Sequence, residues 1–343
     1  MRAKPPPLRS EREVMASWRL DGLPEVSVLC STYNHIAFLA DAIAGMMAQI
    51  TIFPFEVILK DDASTDGTDD LVRDFAKHYP HIIRTHCNST NEYHLGKRSR
   101  RFLEMARGRY LATCEGDDYW IHPLKLQRQW DLLEANPKLI FCGGIALRGS
   151  EDVGACTLIK PDSKATCFSA EDLILDNFIH NSTFFCRTWA RRWLFDNFHA
   201  PVSNGDRVKL VVLASLGGAG FIHEAFSFYR IHPGGAWSSL RAKAWFERQA
   251  ITDREINRFT AGRYHRHFLT HLRRNYWGAI HTIHAEHGFR SMLSVPSMLL
   301  ASRQPNLLID TLRFYRRWIV ASVKTSTAKL AARLQGLPPD GAA

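Results

Sequence analysis

Short apolar runs alternate with longer segments in which apolar residues recur every three or four positions, and the alternation persists through the first 240 residues. Val26–Cys30, Phe55–Leu59, Ile82–Thr85, Tyr110–Cys114 and Leu139–Leu147 read as strands. Between them, Ile36–Gln49, Asp69–His78, the segment around Ser99–Ala106 and Pro123–Glu134 carry helical spacing. In the second of these Leu71, Val72 and Phe75 fall on one side, and in the last Pro123 holds a first-turn position. Strands and helices alternating at this pace predict an α/β fold around a mostly parallel central sheet. Such sheets bind ligands beyond the carboxyl ends of their strands. The polar segments at those ends are Ser31-Thr32-Tyr33-Asn34, Asp61-Asp62-Ala63-Ser64 and Glu115-Gly116-Asp117-Asp118. They are expected to converge on one crevice.

After residue 150 the pattern becomes irregular, and beyond Ala242 it turns largely helical, with no repeat of fixed period. The expected division is a tail over 1–23, a catalytic domain over 24–240 and a basic, mainly helical extension over 241–343. The 343 residues are 45% hydrophobic and 23% charged, which excludes a mainly disordered chain. No stretch approaches eighteen apolar residues, so no transmembrane helix is expected. The basic, proline-rich start (Pro5, Pro6, Pro7) has no apolar core of a secretory signal. Seven cysteines, odd in number, without a CxxC pair and partly in strand-like runs, fit buried thiols in a reducing compartment. A cytoplasmic setting is expected.

Charge sharpens the division. The chain carries +10, yet residues 1–240 hold 27 basic and 28 acidic side chains, and residues 241–343 hold 17 and 6. The excess belongs to the last third, which argues against a globally basic nucleic-acid binder.

Two acidic clusters carry the candidate chemistry. Glu115, Asp117 and Asp118 repel one another at a strand end unless a cation sits among them, and hard oxygen ligands suit Mg²⁺ or Mn²⁺ bridging to phosphates. The alternative is a solvated acidic turn ahead of Pro123, against which the large aromatics Tyr119 and Trp120 weigh. In the second cluster, Asp66 can cap the following helix, with Asp69 completing a capping-box-like arrangement. Asp62 sits before the turn, where a carboxylate can accept hydrogen bonds from a base or ribose. Asp206 opens an apolar helical run, where a helix N-cap would also account for an aspartate.

In order and spacing, Val26–Asn34, Asp61–Thr68, Glu115–Trp120, Pro123–Gln129, Gly205-Asp206 and Tyr229–Ser238 resemble the family 2 glycosyltransferases of GT-A fold, over about residues 24–240. They are similar to bacterial members that build surface polysaccharide. The resemblance implies a Rossmann-like catalytic domain that moves a sugar from a nucleotide-diphosphate donor, with a UDP-sugar as the default, to a glycan or lipid-linked acceptor. It implies that Ser31 and Tyr33 contact the base, that Asp62 binds it, and that Gly96 belongs to a glycine loop near the donor. Glu115 and Asp117 match the two ends of a DxD motif whose first acid is here glutamate. Asp117 is the preferred ligand of Mg²⁺ or Mn²⁺, with Asp118 as the close alternative and His232 completing the shell. His232 is otherwise a turn histidine before Pro233. Asp206 matches the general base of an inverting transfer.

The rival classes fit less well. A nucleotide-sugar-forming nucleotidyltransferase should carry an early glycine-rich phosphate loop, and Cys30–His35 has no glycine; a dinucleotide oxidoreductase lacks its GxGxxG on the same ground. A non-catalytic sugar-binding module with the same fold would not need Asp62, Asp117 and Asp206 together. Asn181-Ser182-Thr183 is a nominal glycosylation sequon without meaning in a cytoplasmic chain; the segment Phe178–Thr183 precedes an apolar strand and is a candidate to face the acceptor, with His180 read as structural. His281, His284 and His287 recur every three residues with no accompanying ligand set, as a partly exposed helix face would. In the basic third, helices packed with solvated arginines compete with an interfacial helix. Leu307, Leu308, Leu312, Tyr315, Ile319 and Val323 fall near helical spacing beside Arg313, Arg316, Arg317 and Lys324. That stripe would hold the enzyme peripherally to an anionic inner leaflet of the plasma membrane. No nucleic-acid motif accompanies the charge.

Overall fold

A computed structural model describes residues 4–92, 100–150, 156–234, 241–304 and 306–316. Gly96 lies outside the described residues, as do Trp237, Arg317, Ile319, Val323 and Lys324. Two compact units divide the chain: one takes residues 1–239 and 252–271, the other 240–251 and 272–343. The chain thus leaves the first unit at 240, where the sequence suggested a boundary, but returns to it for twenty residues.

In chain order the strands are β1 Val26–Thr32, β2 Phe55–Asp61, β3 Ile83–Cys87, β4 Tyr110–Thr113, β5 Tyr119–Trp120, β6 Phe141–Gly149, β7 Thr157–Ile159, β8 Cys167–Phe168, β9 Phe185–Arg187 and β10 Ala219–Arg230. The helices are α1 Glu11–Met15, α2 Leu39–Met47, α3 Thr68–His78, α4 Arg100–Glu104, α5 Lys125–Ala135, α6 Ala170–Leu175, α7 Thr188–Asn197, α8 Gly205–Gly217, α9 Ala242–Phe259, α10 His265–His287 and α11 Val295–Ser302.

The sheet of the first unit runs β3-β2-β1-β4-β9-β6-β10-β5. The long pairings, β3 with β2, β2 with β1, β1 with β4 and β6 with β10, are parallel. Successive side chains of a strand point to opposite faces. Accordingly Val26, Val28 and Cys30 of β1 enter one apolar cluster with α2, α3 and α5, whereas Leu29 enters another with α6, α7 and α8. β2 divides the same way, Phe55, Val57 and Leu59 against Ile58. This double-sided burial is why these runs are continuously apolar rather than alternating. The apolar strand read after Phe178–Thr183 is β9, which is antiparallel to both β4 and β6 and joins the two parallel halves. It is three residues long and comes just after a single 3₁₀ turn at Asn181–Thr183, and its antiparallel direction could not be read from so short a run.

The helix after the second acidic cluster starts differently from expectation. Its N-cap is Gly67, left-handed at φ 93°, and no side chain caps it. Asp66 instead accepts hydrogen bonds from Ile36 N at 3.1 Å and Thr68 N at 3.0 Å, tying the β1 loop to the β2 loop.

The second unit buries Phe246, Tyr276, Ile280, Met298, Leu307 and Tyr315 together. Tyr276 and Thr311 share a buried hydroxyl hydrogen bond of 2.6 Å. His281 and His284 pack edge-on against Phe314, at 5.1 and 5.6 Å between ring centroids, an aromatic helix face. The apolar stripe read as interfacial splits: Leu307 and Tyr315 are core, while Leu308 and Leu312 are exposed.

Candidate functional site

β1, β2 and β4 are parallel; β2 ends opposite the end of β1, with Asp61 against Thr32, and β4 ends opposite Leu29, so the loops that follow them meet. Asp62 N donates to Thr32 O at 3.0 Å and Gly116 N to Ser31 O at 2.9 Å. Gly116 is required by this approach, since a Cβ there would lie 2.8 Å from Thr32 Oγ1 and 3.1 Å from His35 Nδ1. Gly116→Ala should therefore lower stability by about 1–3 kcal/mol through overpacking and weaken nucleotide binding together, which thermal melts and nucleotide titration would read.

The loops line one cleft of about 420 Å³ that contains Ser31, Tyr33, Asp62, Glu115, Asp117, Asp118 and Asp206. The convergence read from the strand ends is thus realised, and His232 joins it with Nε2 3.1 Å from Asp117 Oδ2. Asp62 is buried at one end, where its Oδ1 accepts from Asn88 Nδ2 at 2.5 Å and Glu92 N at 3.2 Å and faces Lys60 Nζ at 3.2 Å. Ser31 and Tyr33 are exposed on the cleft wall above β1.

The acids at the end of β4 divide the work. Asp118 is buried, and its Oδ1 accepts from Arg230 N at 3.0 Å, joining the end of β10 to the acidic turn. Burial, with Asp117 and Glu115 close by, pushes its carboxyl well above the usual range. Glu115 accepts from Asn181 through Oε1, while its Oε2 is buried with no hydrogen-bond partner among the described residues. Burial first and Asp206 second push the Glu115 pKa up to about 7, against the opposing pull of Lys209. Asp117 Oδ2 faces two imidazoles, His232 Nε2 at 3.1 Å and His35 Nε2 at 3.6 Å.

Among the described residues no group of three His, Cys, Asp or Glu side chains stands in a metal-holding arrangement. The donor chemistry nevertheless suits the expected ion: carboxylates of Asp117 and Glu115, one oxygen of the latter unpaired, beside the imidazole of His232, are ligands that Mg²⁺ or Mn²⁺ accepts.

Asp206 lies across the cleft on α8. It is not the cap of that helix; Asn204 is, its side chain accepting from Arg207 N at 3.0 Å. The carboxylate is left to face Lys209 Nζ at 3.1 Å, with half of its side-chain surface exposed. Crowding pushes its pKa up, but the Lys209 charge and hydrogen bond, then His180 and Arg191, outweigh this and hold it below the usual aspartate range. Asp206 is therefore ionised near neutral pH.

Sequence reasoning left several cleft residues without a role at the site. Lys209 is one helical turn from Asp206, a spacing that could have revealed it, and it also donates to Asn181. Asn181, part of the nominal sequon, is held between Glu115 and Lys209, and Ser182 and Thr183 beside it are buried. His180 lies with its ring centroid 4.2 Å from that of Tyr229, and burial lowers its pKa to about 4. Arg230 donates to Asp117 O at 2.8 Å and Asp41 Oδ2 at 2.6 Å, with its guanidinium 4.6 Å from the Phe38 ring centre. No local pattern marks a side chain whose role depends on Asp41, 189 positions away.

Comparison with known proteins adds to this geometry. The family model for glycosyl transferase family 2 matches residues 27–193. The chain is 34% identical over 225 residues to the uncharacterized protein Rv1520 of Mycobacterium tuberculosis (strain H37Rv), covering 64% of this chain and 63% of that protein. TuaG of Bacillus subtilis (strain 168), named for teichuronic acid biosynthesis, is 31% identical over 121 residues, 35% of this chain and 44% of TuaG. The fold is shared with the crystal structure of Staphylococcus aureus TarS residues 1–349 in complex with UDP-GlcNAc, at TM-score 0.57 and 18% identity, over 81% of this chain and 79% of that one.

Proposed function

Because the chain belongs to glycosyl transferase family 2 through residues 27–193, we propose that it moves a sugar from a nucleotide-diphosphate donor to a hydroxyl of a glycan or lipid-linked acceptor in the building of cell-surface polysaccharide. The observation that carries the reading is one cleft that brings together Asp62 and Asp117, from the loops after β2 and β4, and Asp206, from the first turn of α8. The relatives support it, TuaG by its name and TarS by the nucleotide sugar in its crystals.

In this reading Asp62 holds the base or ribose, with Ser31 and Tyr33 along the same wall. Asp117, Glu115 and His232 hold a Mg²⁺ or Mn²⁺ ion, with Asp118 behind them setting the turn. Bound there, the ion neutralises the charge of the departing diphosphate. Asp206 receives the acceptor's hydroxyl proton as the oxygen forms its bond to the anomeric carbon. The bond from that carbon to the diphosphate oxygen breaks, and its electron pair leaves with the nucleotide. Attack from the face opposite the leaving group inverts the anomeric centre. A carboxylate with so low a pKa is a weak base in the ground state and acts by taking the proton late. Arg230, bound to Asp117 O and Asp118, keeps the acidic turn against β10.

A thermal-shift screen of nucleotide sugars with and without Mn²⁺ tests the reading, because a ligand of the native state raises the melting temperature with the logarithm of its concentration over its Kd. Asp117→Asn should abolish the Mn²⁺-dependent part of nucleotide binding, and unchanged UDP affinity with Mn²⁺ refutes the role. Mn²⁺-supported binding should also strengthen as pH rises through about 7, where Glu115 loses its proton, and Glu115→Gln should flatten that profile.

The second unit is the part we propose rests on an anionic membrane surface. Among the described residues no helix is long and apolar enough to cross a membrane. Leu293 and Leu300 are nevertheless 82% and 78% exposed in a strongly basic segment. Removing residues 300–343 should shift the protein from floated anionic vesicles to the soluble fraction; no shift overturns the placement.

A further inference from the structure

A second cavity of about 340 Å³ adjoins the cleft and shares Ser31, Glu115, Asn181, Gly205 and Asp206 with it. Its remaining wall, apart from Thr113, is apolar or cationic. Phe102, Leu194 and Phe195 make it apolar, and Lys60, Arg191 and Lys209 bring three cations. Two of the cations are already matched: Lys60 faces Asp62 at 3.2 Å and Glu92 at 3.0 Å, and Lys209 is bound by Asp206 and Asn181. Arg191, on α7, acts on Asp206 only through its charge and from beyond ion-pair distance. It is partly buried, and among the described residues its guanidinium makes no hydrogen bond or ion pair. A guanidinium carries five N–H donors and cannot shed its charge, so withdrawing it from water without an acceptor is costly.

A cavity of this size suits a sugar ring, and its aromatic and aliphatic wall suits the ring's C–H face. Asp206 borders both spaces, so one carboxylate can take a proton from a hydroxyl in the second while a nucleotide occupies the first. We infer that the second cavity is the acceptor site and that the acceptor carries an oxyanion, a carboxylate or a phosphate, received by Arg191. This rests on the glycosyl-transfer reading above and adds the acceptor's chemical class to it. The planar fork of Arg191 can meet either anion with two parallel N–H donors, and an uncharged sugar would leave it unpaired.

The test uses the full chain with Mn²⁺ and saturating UDP, or GDP if UDP does not bind, so that the donor cleft is filled. Methyl β-glucuronide, glucose 6-phosphate and methyl β-glucoside are titrated calorimetrically into wild type, Arg191→Gln and Arg191→Lys. At least one anionic sugar should bind wild type about tenfold or more tighter than the neutral glycoside, the equivalent of one charge-assisted hydrogen bond. Which anionic sugar binds tells carboxylate from phosphate. Arg191→Gln should remove that preference and Arg191→Lys keep part of it, while the nucleotide Kd of both variants stays at the wild-type value and reports intact folding. Equal binding of charged and neutral sugars by wild type, no saturable binding of either anion, or a preference that survives Arg191→Gln overturns the inference while leaving the donor reading in place. Failure of both nucleotides to bind wild type overturns the donor reading itself, and this inference with it.

Discussion

Asp206→Asn should lower kcat by roughly a hundredfold to ten-thousandfold, the contribution of a positioned general base, with the nucleotide Kd unchanged. The substitution keeps shape and removes only the capacity to accept a full proton. It should not unwind α8, because the cap is Asn204 rather than Asp206. Nor should it free Lys209 entirely, which retains Asn181. A second variant gives the effect a direction in pH. Lys209→Met removes the largest influence that lowers the Asp206 pKa. The acid limb of kcat/KM, where activity is lost as Asp206 takes up a proton, should then move to higher pH. Retained turnover in Asp206→Asn would place the base elsewhere, and an unmoved limb in Lys209→Met would detach the limb from Asp206.

The sequence named Asp206 as the candidate base but left a helix cap as the alternative, and the reason lies in its neighbours. Asn204, Gly205 and Asp206 all precede an apolar run, and any of the polar two could cap it. Only the three-dimensional hydrogen bond from Arg207 N to Asn204 separates them. The strand ends were easier, because an apolar run closing on Asp61-Asp62 or Glu115-Gly116-Asp117-Asp118 marks both the strand and its carboxyl end in one stretch. What stayed hidden was set by distant partners. Lys209 and Asn181 are 28 positions apart, and the antiparallel direction of β9 is set by the β4 and β6 strands on either side of it. In the basic third, helical spacing correctly joined Leu307 to Tyr315, but periodicity names a face without saying what it meets. Leu308 and Leu312 share the periodicity and remain exposed.

Asp253→Ala should destabilise the first unit by about 3–5 kcal/mol, the cost of breaking a buried ion pair by removing one partner. Arg207 follows the candidate base directly in sequence and is fully buried. Its guanidinium is bound by Asp253, donates to Ile174 O at 2.9 Å and lies 3.0 Å from His271 Nδ1, while that nitrogen is 2.6 Å from Asp253 Oδ2. Burial pushes the Asp253 pKa up, but the Arg207 charge and the His271 hydrogen bond outweigh it, and the group is held below the usual aspartate value. A lowered carboxyl pKa contributes stability that is present above the unfolded value and lost as pH falls through the folded one, so the wild-type advantage over Asp253→Ala should shrink in acid. Urea midpoints at pH 7 and pH 3 would measure both. The loss should be mostly recovered in Arg207→Met/Asp253→Leu, which removes both charges and leaves apolar volume. A double variant no better than Asp253→Ala alone would mean that the penalty comes from lost packing and not from a stranded guanidinium. Because Arg207 anchors the first turn of α8, kcat should fall in Asp253→Ala at temperatures where the protein is still folded, through displacement of Asp206, whereas a purely global effect would leave kcat of the folded fraction untouched.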